Sequence, residues 1–172
     1  MAYELRLERR VEFCETDAAG IVHFSNFFRF FEQAEHALLR SVGLGVHFRI
    51  EQGDLGFPRL ASRCEFLRPA RFEDLLEIHV WVARLGRTSV TYSATAACRG
   101  ERLAQGETTA VACIYHETKD GVPQPLRAVE LPAAFRERLQ IAPYPPLVFR
   151  ESVGATQTGE TQPGGKDKGI RG

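Results

Sequence analysis

Hydrophobic side chains fall at every second position near the start of the chain: Tyr3, Leu5 and Leu7, then Val11 and Phe13. That period predicts a half-buried strand over Tyr3–Phe13. The period then changes. Between Ser25 and Val42, Phe27, Phe31, Ala34 and Leu38 follow i, i+4, i+7, i+11 spacing, and Phe28, Leu39 and Val42 widen the stripe. The spacing predicts a helix whose broad apolar face must be wrapped by other elements. Ser25 or Asn26 can cap its start and Gly43 can end it.

Leu44–Gly56 reads as a loop, and Pro58–Leu67 as a strand interrupted near Pro69. Leu76, Ile78, Val80 and Val82 alternate with Glu77, His79 and Trp81, and after a turn at Gly86-Arg87 the alternation returns through Val90, Tyr92, Ala94 and Ala96. A second turn at Arg99-Gly100-Glu101 leads into a long strand, Leu103–His116. Leu131–Leu139 reads as a short helix with Pro132 in its first turn. One long helix ahead of a run of antiparallel strands is an α+β arrangement, and the simplest packing curls the sheet around the helix. Residues 1–145 are expected to form one domain. Residues 146–172 are expected to be a disordered tail, since from about Glu151 the chain holds Gly, Thr, Gln and Lys with almost nothing to bury.

Composition narrows the function classes. The chain has 172 residues, 44% hydrophobic and 26% charged, enough for a real core. Lysine plus arginine equals aspartate plus glutamate at 22 each, so overall charge draws the protein neither to nucleic acid nor to an anionic membrane. No run reaches membrane-spanning length and the first residues lack a signal-peptide pattern, which points to the cytoplasm. Cys14, Cys64, Cys98 and Cys113 form no Cys-x-x-Cys pair and are expected to be reduced, mostly buried thiols in strand-like segments. His36, His47, His79 and His116 have no metal-ligand spacing and read as structural, so no metal is expected.

The chemistry concentrates between the first strand and the helix, in Glu15-Thr16-Asp17-Ala18-Ala19-Gly20-Ile21-Val22-His23-Phe24. Asp17 in such a loop reads as a turn former or cap. It also reads as half of an acyl-transfer site. A carboxylate can attack or activate water, and the unpaired N–H groups and partial positive charge of a helix N-terminus can hold a developing oxyanion.

The pattern Asp17-x-x-Gly20-x-Val22, followed two residues on by Phe24 and then by a helix with the early acidic residue Glu32, resembles the hotdog-fold acyl-CoA thioesterases of the 4-hydroxybenzoyl-CoA thioesterase type. The likeness runs from Val11 to about Pro132, through Gly56-Phe57-Pro58, Arg87-Thr88-Ser89 and Leu126-Arg127-Ala128-Val129-Glu130-Leu131-Pro132. It implies a hotdog fold, with a five- or six-stranded antiparallel sheet wrapped around one long helix. It further implies a homodimer or homotetramer with active sites at the subunit interface, a CoA thioester as substrate and no cofactor.

Residue by residue, the resemblance implies that Asp17 is nucleophile or general base and that Gly20 permits the turn aiming it. The Phe24 backbone N–H would polarise the thioester carbonyl, a donor of the kind worth about 3–4 kcal/mol in a transition state. Relatives carry tyrosine or histidine at the Phe24 position, so hydratase or dehydratase chemistry needing that histidine is disfavoured here. His23 either turns toward substrate or remains a loop histidine. Phe27 belongs to a stripe that is mainly core, with one or two rings also lining an acyl pocket. Glu32 is a solvated or ion-paired helix residue, or orients water or the Asp17 loop across the dimer interface. Pro58, Ser89, Arg87 and Arg127 fall in matching segments, with the two arginines at positions near the CoA phosphates. Val22-His23-Phe24 and Pro123-Gln124-Pro125 also resemble thioesterases that release 1,4-dihydroxy-2-naphthoate, and short or medium acyl-CoA esters stand beside that substrate. A carrier-protein thioesterase and a non-catalytic acyl-ligand binder are the alternatives.

Overall fold

The computed structural model describes residues 2–50, 53–115 and 125–150. Strand β1 (Glu4–Arg10) leads through a single 3-10 turn at Phe13–Glu15 into helix α1 (Phe24–Ser41). Two short strands follow, β2 (His47–Ile50) and β3 (Gly53–Gly56), and then four longer ones: β4 (Arg59–Phe66), β5 (Leu75–Leu85), β6 (Ser89–Cys98) and β7 (Glu101–Val111). The chain ends in β8 (Cys113–Tyr115), β9 (Arg127–Ala128) and α2 (Ala133–Arg138). The main sheet is antiparallel, with order β1-β5-β6-β7-β4, and a smaller one has order β2-β3-β8-β9.

Alternation explains how the sheet wraps the helix. Leu76, Ile78, Val80 and Val82 of β5 are buried on one face, against Phe27, Phe30, Phe31, Ala34, Leu38 and Leu39 of α1. Burying each large apolar side chain is worth roughly 1.5–3 kcal/mol. A tight approach falls on β7. A Cβ on Gly106 would lie 2.8 Å from the Phe31 ring and 2.9 Å from the Arg63 carbonyl, so only glycine fits beneath the helix.

The opposite face of β5 carries His79 and Trp81, and both are also buried. The chain beyond α2 covers them. Ala142 N–H donates to Val82 O at 2.8 Å, the Tyr144 ring sits edge-on to His79 and Trp81, and Gln105 Nε2 donates to Val148 O at 2.7 Å. Residues 146–150 of the expected tail take part in this covering. Residues 151–172 lie outside the described residues, as do His116 and Pro123-Gln124.

The structure differs from the periodic reading at several ends. β1 stops at Arg10, and Phe13 stands 75% exposed in the 3-10 turn rather than continuing the strand. Leu44–Gly56 is not all loop, because β2 and β3 pair within it. The strand expected over Leu103–His116 breaks at Ala112, whose N–H donates to Thr88 O, so the following residues join the smaller sheet. Pro132 precedes α2 as its cap rather than standing inside its first turn. The four cysteines are free thiols, but Cys14 is exposed and lies in the 3-10 turn, Cys64 and Cys98 are half-buried, and Cys113 is buried. Burial pushes the Cys64 thiol up to about 12. Among the described residues, no helix is long and apolar enough to cross a membrane.

Candidate functional site

The loop between β1 and α1 is a closed turn. Asp17 N–H donates to Ile21 O at 2.8 Å, and Gly20 N–H donates to Asp17 O at 2.9 Å. Gly20 takes φ +71°, and a Cβ there would meet nothing within 4 Å, so the glycine answers the backbone angle alone. The Asp17 carboxylate is exposed and half-tethered. Its Oδ1 accepts the Ala19 N–H at 2.8 Å, while Oδ2 accepts no bond among the described residues.

Helix α1 begins one residue earlier than the periodicity predicts, at Phe24, and its cap is His23 rather than Ser25 or Asn26. The His23 Nδ1 accepts the Ser25 N–H at 3.4 Å and lies 2.8 Å from the Ser25 hydroxyl. Asn26 lies inside the first turn, with its N–H donating to His23 O, and its side-chain Nδ2 donates back to the Glu15 carbonyl at 2.8 Å. The Phe24 N–H, first in the helix, has no acceptor among the described residues. It lies at the positive end of an 18-residue helix dipole.

Asp17 and Phe24 border one cavity of about 460 Å3. Its walls include Phe27 and, from the end of β4, Phe66, Arg68 and Pro69. The Phe66 ring centroid lies 6.2 Å from Phe24 and 5.6 Å from Phe27, which makes the wall aromatic. Phe27 thus serves both the core, at 3% exposure, and the cavity. Nothing in the local spacing marks Phe66, or the turn behind it, as part of a site. The interruption at Pro69 was the one local sign that the chain bends there.

The remaining predicted residues sit elsewhere in the fold. His23 packs its ring on Phe24 at 4.5 Å but does not line the Asp17 cavity. Glu32 is half-exposed and accepts from Arg59 Nη2 at 2.9 Å. It lines a smaller cavity of about 140 Å3 between α1 and the sheet, together with Glu35, Arg59, Ser62 and Tyr92. Arg59 and Glu35 were not singled out from the sequence. Burial raises the Glu35 carboxyl above the ordinary carboxylate range, against the pull of Arg59, and raises the Tyr92 phenol as well. Pro58 borders a third space of about 310 Å3 with Glu32 and Arg59.

Arg87, Ser89 and Arg127 do not line the Asp17 cavity. Arg87 is exposed and donates to Glu130 at 3.0 Å, while its carbonyl accepts the Leu131 N–H at 3.0 Å. Ser89 opens β6 and its carbonyl accepts the Gly86 N–H at 2.8 Å. Arg127 is exposed on β9, in register with Ile114. Among the described residues, no group of histidine, cysteine and carboxylate side chains could hold a metal ion.

Comparison with known proteins places these features in context. A model of the Thioesterase superfamily matches residues 19–105. A putative esterase of Aquifex aeolicus is 42% identical over 85 residues, spanning 49% of this chain and 66% of that protein. A 1,4-dihydroxy-2-naphthoyl-CoA hydrolase of Thermosynechococcus vestitus is 30% identical over 125 residues, 70% of this chain and 84% of its own length. In three dimensions, the crystal structure of a hypothetical protein from Aquifex aeolicus superposes with a TM-score of 0.67 at 32% identity. The superposition covers 79% of this chain and 99% of that one.

Proposed function

Because the chain belongs to the thioesterase superfamily, with the hotdog arrangement and thioester hydrolysis that go with it, we propose that it cleaves acyl-CoA thioesters to the free acid and CoA at the Asp17 cavity. One observation carries the reading. A carboxylate with one oxygen tethered and the other without a partner among the described residues shares a cavity with Phe24, whose helix-terminal N–H is likewise without an acceptor among them. The Phe24 N–H takes the thioester oxygen as it gains negative charge. Either the free oxygen of Asp17 attacks the carbonyl carbon, the C–S bond breaks to release CoA thiolate, and water then hydrolyses the mixed anhydride to the free acid and the Asp17 carboxylate. Or Asp17 takes the proton of an attacking water, the C–S bond breaks to give the free acid, and the proton passes to the departing thiolate. Gly20 gives the turn its shape. Each step is assigned to a group of the chain itself.

The aromatic wall formed by Phe24, Phe27 and Phe66 favours a flat acyl group, of hydroxybenzoyl or 1,4-dihydroxy-2-naphthoyl type, over an aliphatic one. That is also the class of the substrate in the name of the Thermosynechococcus relative. His23 acts through its cap on the helix start, and Glu32 stays in its ion pair with Arg59, outside the Asp17 cavity. Arg87, Arg127, Pro58 and Ser89 meet substrate in an assembly of two or four copies, because within one protomer they lie apart from Asp17. The β4 edge, with Leu60 72% exposed, is free to pair with a second copy in such an assembly.

The test is thiol release from benzoyl, hydroxybenzoyl, naphthoyl and short, medium and long aliphatic CoA esters, with wild type beside Asp17→Asn. Turnover is expected on aryl esters and to fall about a hundredfold or more in Asp17→Asn. Silence on every CoA ester defeats the proposal and favours a carrier-protein thioester or a binding role. Activity surviving in Asp17→Asn overturns the assignment of Asp17.

A further inference from the structure

We infer that Asn26 is a positioning residue for this site, holding the Asp17 loop in register with the start of α1 through the Glu15 carbonyl; the inference rests on the thioester-hydrolysis reading above. Asn26 lies in the first turn of α1 and is only 8% exposed. A buried amide is costly unless it is bonded. Its Nδ2 donates to Glu15 O at 2.8 Å, back across the whole loop. The same oxygen accepts the His23 N–H at 2.9 Å. Both lone pairs of one carbonyl are therefore used to close the base of the loop.

The far side of that base is also anchored. Arg9 of β1 holds the Glu15 carboxylate at 2.6 and 2.7 Å, and the Glu12 N–H donates to it at 2.9 Å. The Arg9 guanidinium in turn lies 3.8 Å from the centre of the fully buried Phe30 ring. Glu15 is thus tied to β1 by its side chain and to α1 by its carbonyl. The bonds inside the turn, donated by Ala19 and Gly20 to Asp17 and by Asp17 N–H to Ile21 O, set its shape but do not reach the helix. Placement of Asp17 against Phe24 falls to the Glu15 carbonyl and to the Val22 N–H, which donates to Ala70 O at 2.8 Å. Removing the Asn26 donor leaves the turn intact and loosens its position. A displacement of about 1 Å at a reacting group costs on the order of a hundredfold in rate.

The experiment measures steady-state thiol release and amide hydrogen exchange on the full chain as wild type, Asn26→Ala and Asn26→Asp. Asn26→Asp keeps the side-chain shape and loses the donor, so it separates the hydrogen bond from packing, and it decides alone if Asn26→Ala fails to fold. In both variants kcat is expected to fall about a hundredfold with KM within about twofold. Exchange over residues 16–22 should quicken about tenfold or more while β5 and β6 keep their protection. A kcat within twofold of wild type overturns the inference. So does unchanged loop exchange, or a loss of kcat that comes with general loss of protection in β5 and β6. Wild type silent on every ester defeats the thioesterase reading alone, and the exchange measurement then decides the role of Asn26.

Discussion

Arg59 holds Glu35 with one guanidinium nitrogen, Nη1 lying 2.8 Å from both carboxylate oxygens, while its Nη2 reaches Glu32. The Glu35 side chain is 4% exposed, so its charge depends on this partner. Arg59→Met is expected to cost about 3–5 kcal/mol in urea unfolding at neutral pH, because it leaves a buried carboxylate unpaired. Adding Glu35→Leu should recover most of that loss. The sign with pH follows from burial raising the Glu35 carboxyl. Folding then binds the proton more tightly, and the associated stability is present at low pH and lost as pH rises through the raised value. The cost of Arg59→Met should accordingly shrink as pH falls toward the ordinary carboxylate range.

Gly20→Ala isolates a backbone angle. At φ +71° with open space around the added Cβ, the substitution carries no steric clash with neighbours. It should cost about 1–2 kcal/mol through the left-handed conformation alone. Asn at this position tolerates that region better. Thermal unfolding and thiol release should therefore rank wild type above Gly20→Asn, and Gly20→Asn above Gly20→Ala.

Phe66→Ala tests the aromatic wall. The ring is 47% exposed, so its loss should lower stability by less than about 1 kcal/mol. Ring contacts of the kind it makes with Phe24 and Phe27 are worth about 0.5–1.5 kcal/mol. KM for aryl-CoA esters is expected to rise about fivefold, and KM for a short aliphatic ester to change less.

Acid should loosen the segment that covers the outer face of the sheet. Glu4 Oε2 accepts the Tyr144 hydroxyl at 2.6 Å and lies 2.6 Å from His79 Nε2. The Tyr144 hydrogen bond holds Glu4 below its ordinary range, and burial holds His79 below its own. Both groups bind protons less readily when folded, so the stability they lend is present above their ordinary values and is lost as pH falls. Protection factors over residues 140–150, with exchange corrected for its intrinsic pH dependence, are expected to fall below about pH 6, beginning beneath the ordinary histidine value near 6.5. Tyr144→Phe should raise exchange at neutral pH and flatten the dependence.

Much of this architecture can be read from local spacing. The stripe from Phe27 to Leu38 and the alternation of Leu76 to Val82 mark α1 and β5, because backbone geometry dictates which side chains share a face. The Asp17 loop was legible for a similar reason, since the turn, the glycine and the helix start are contiguous. Element ends were less so. Phe13 keeps the alternation of β1 yet leaves it, and Ala112 ends β7 because its N–H is taken by Thr88 O.

The chain's own periodicity therefore specified the helix, the long strands and the place of the carboxylate. It could not specify which distant groups would meet. Phe66 reaches the Asp17 cavity, Arg59 reaches Glu35, and Tyr144 covers His79 through the order β1-β5-β6-β7-β4 and the return of the chain over the sheet. Side-chain direction is a local property of the backbone, while partnership between residues 24 or 65 positions apart (as for Glu35–Arg59 and His79–Tyr144) is set by how whole elements pack.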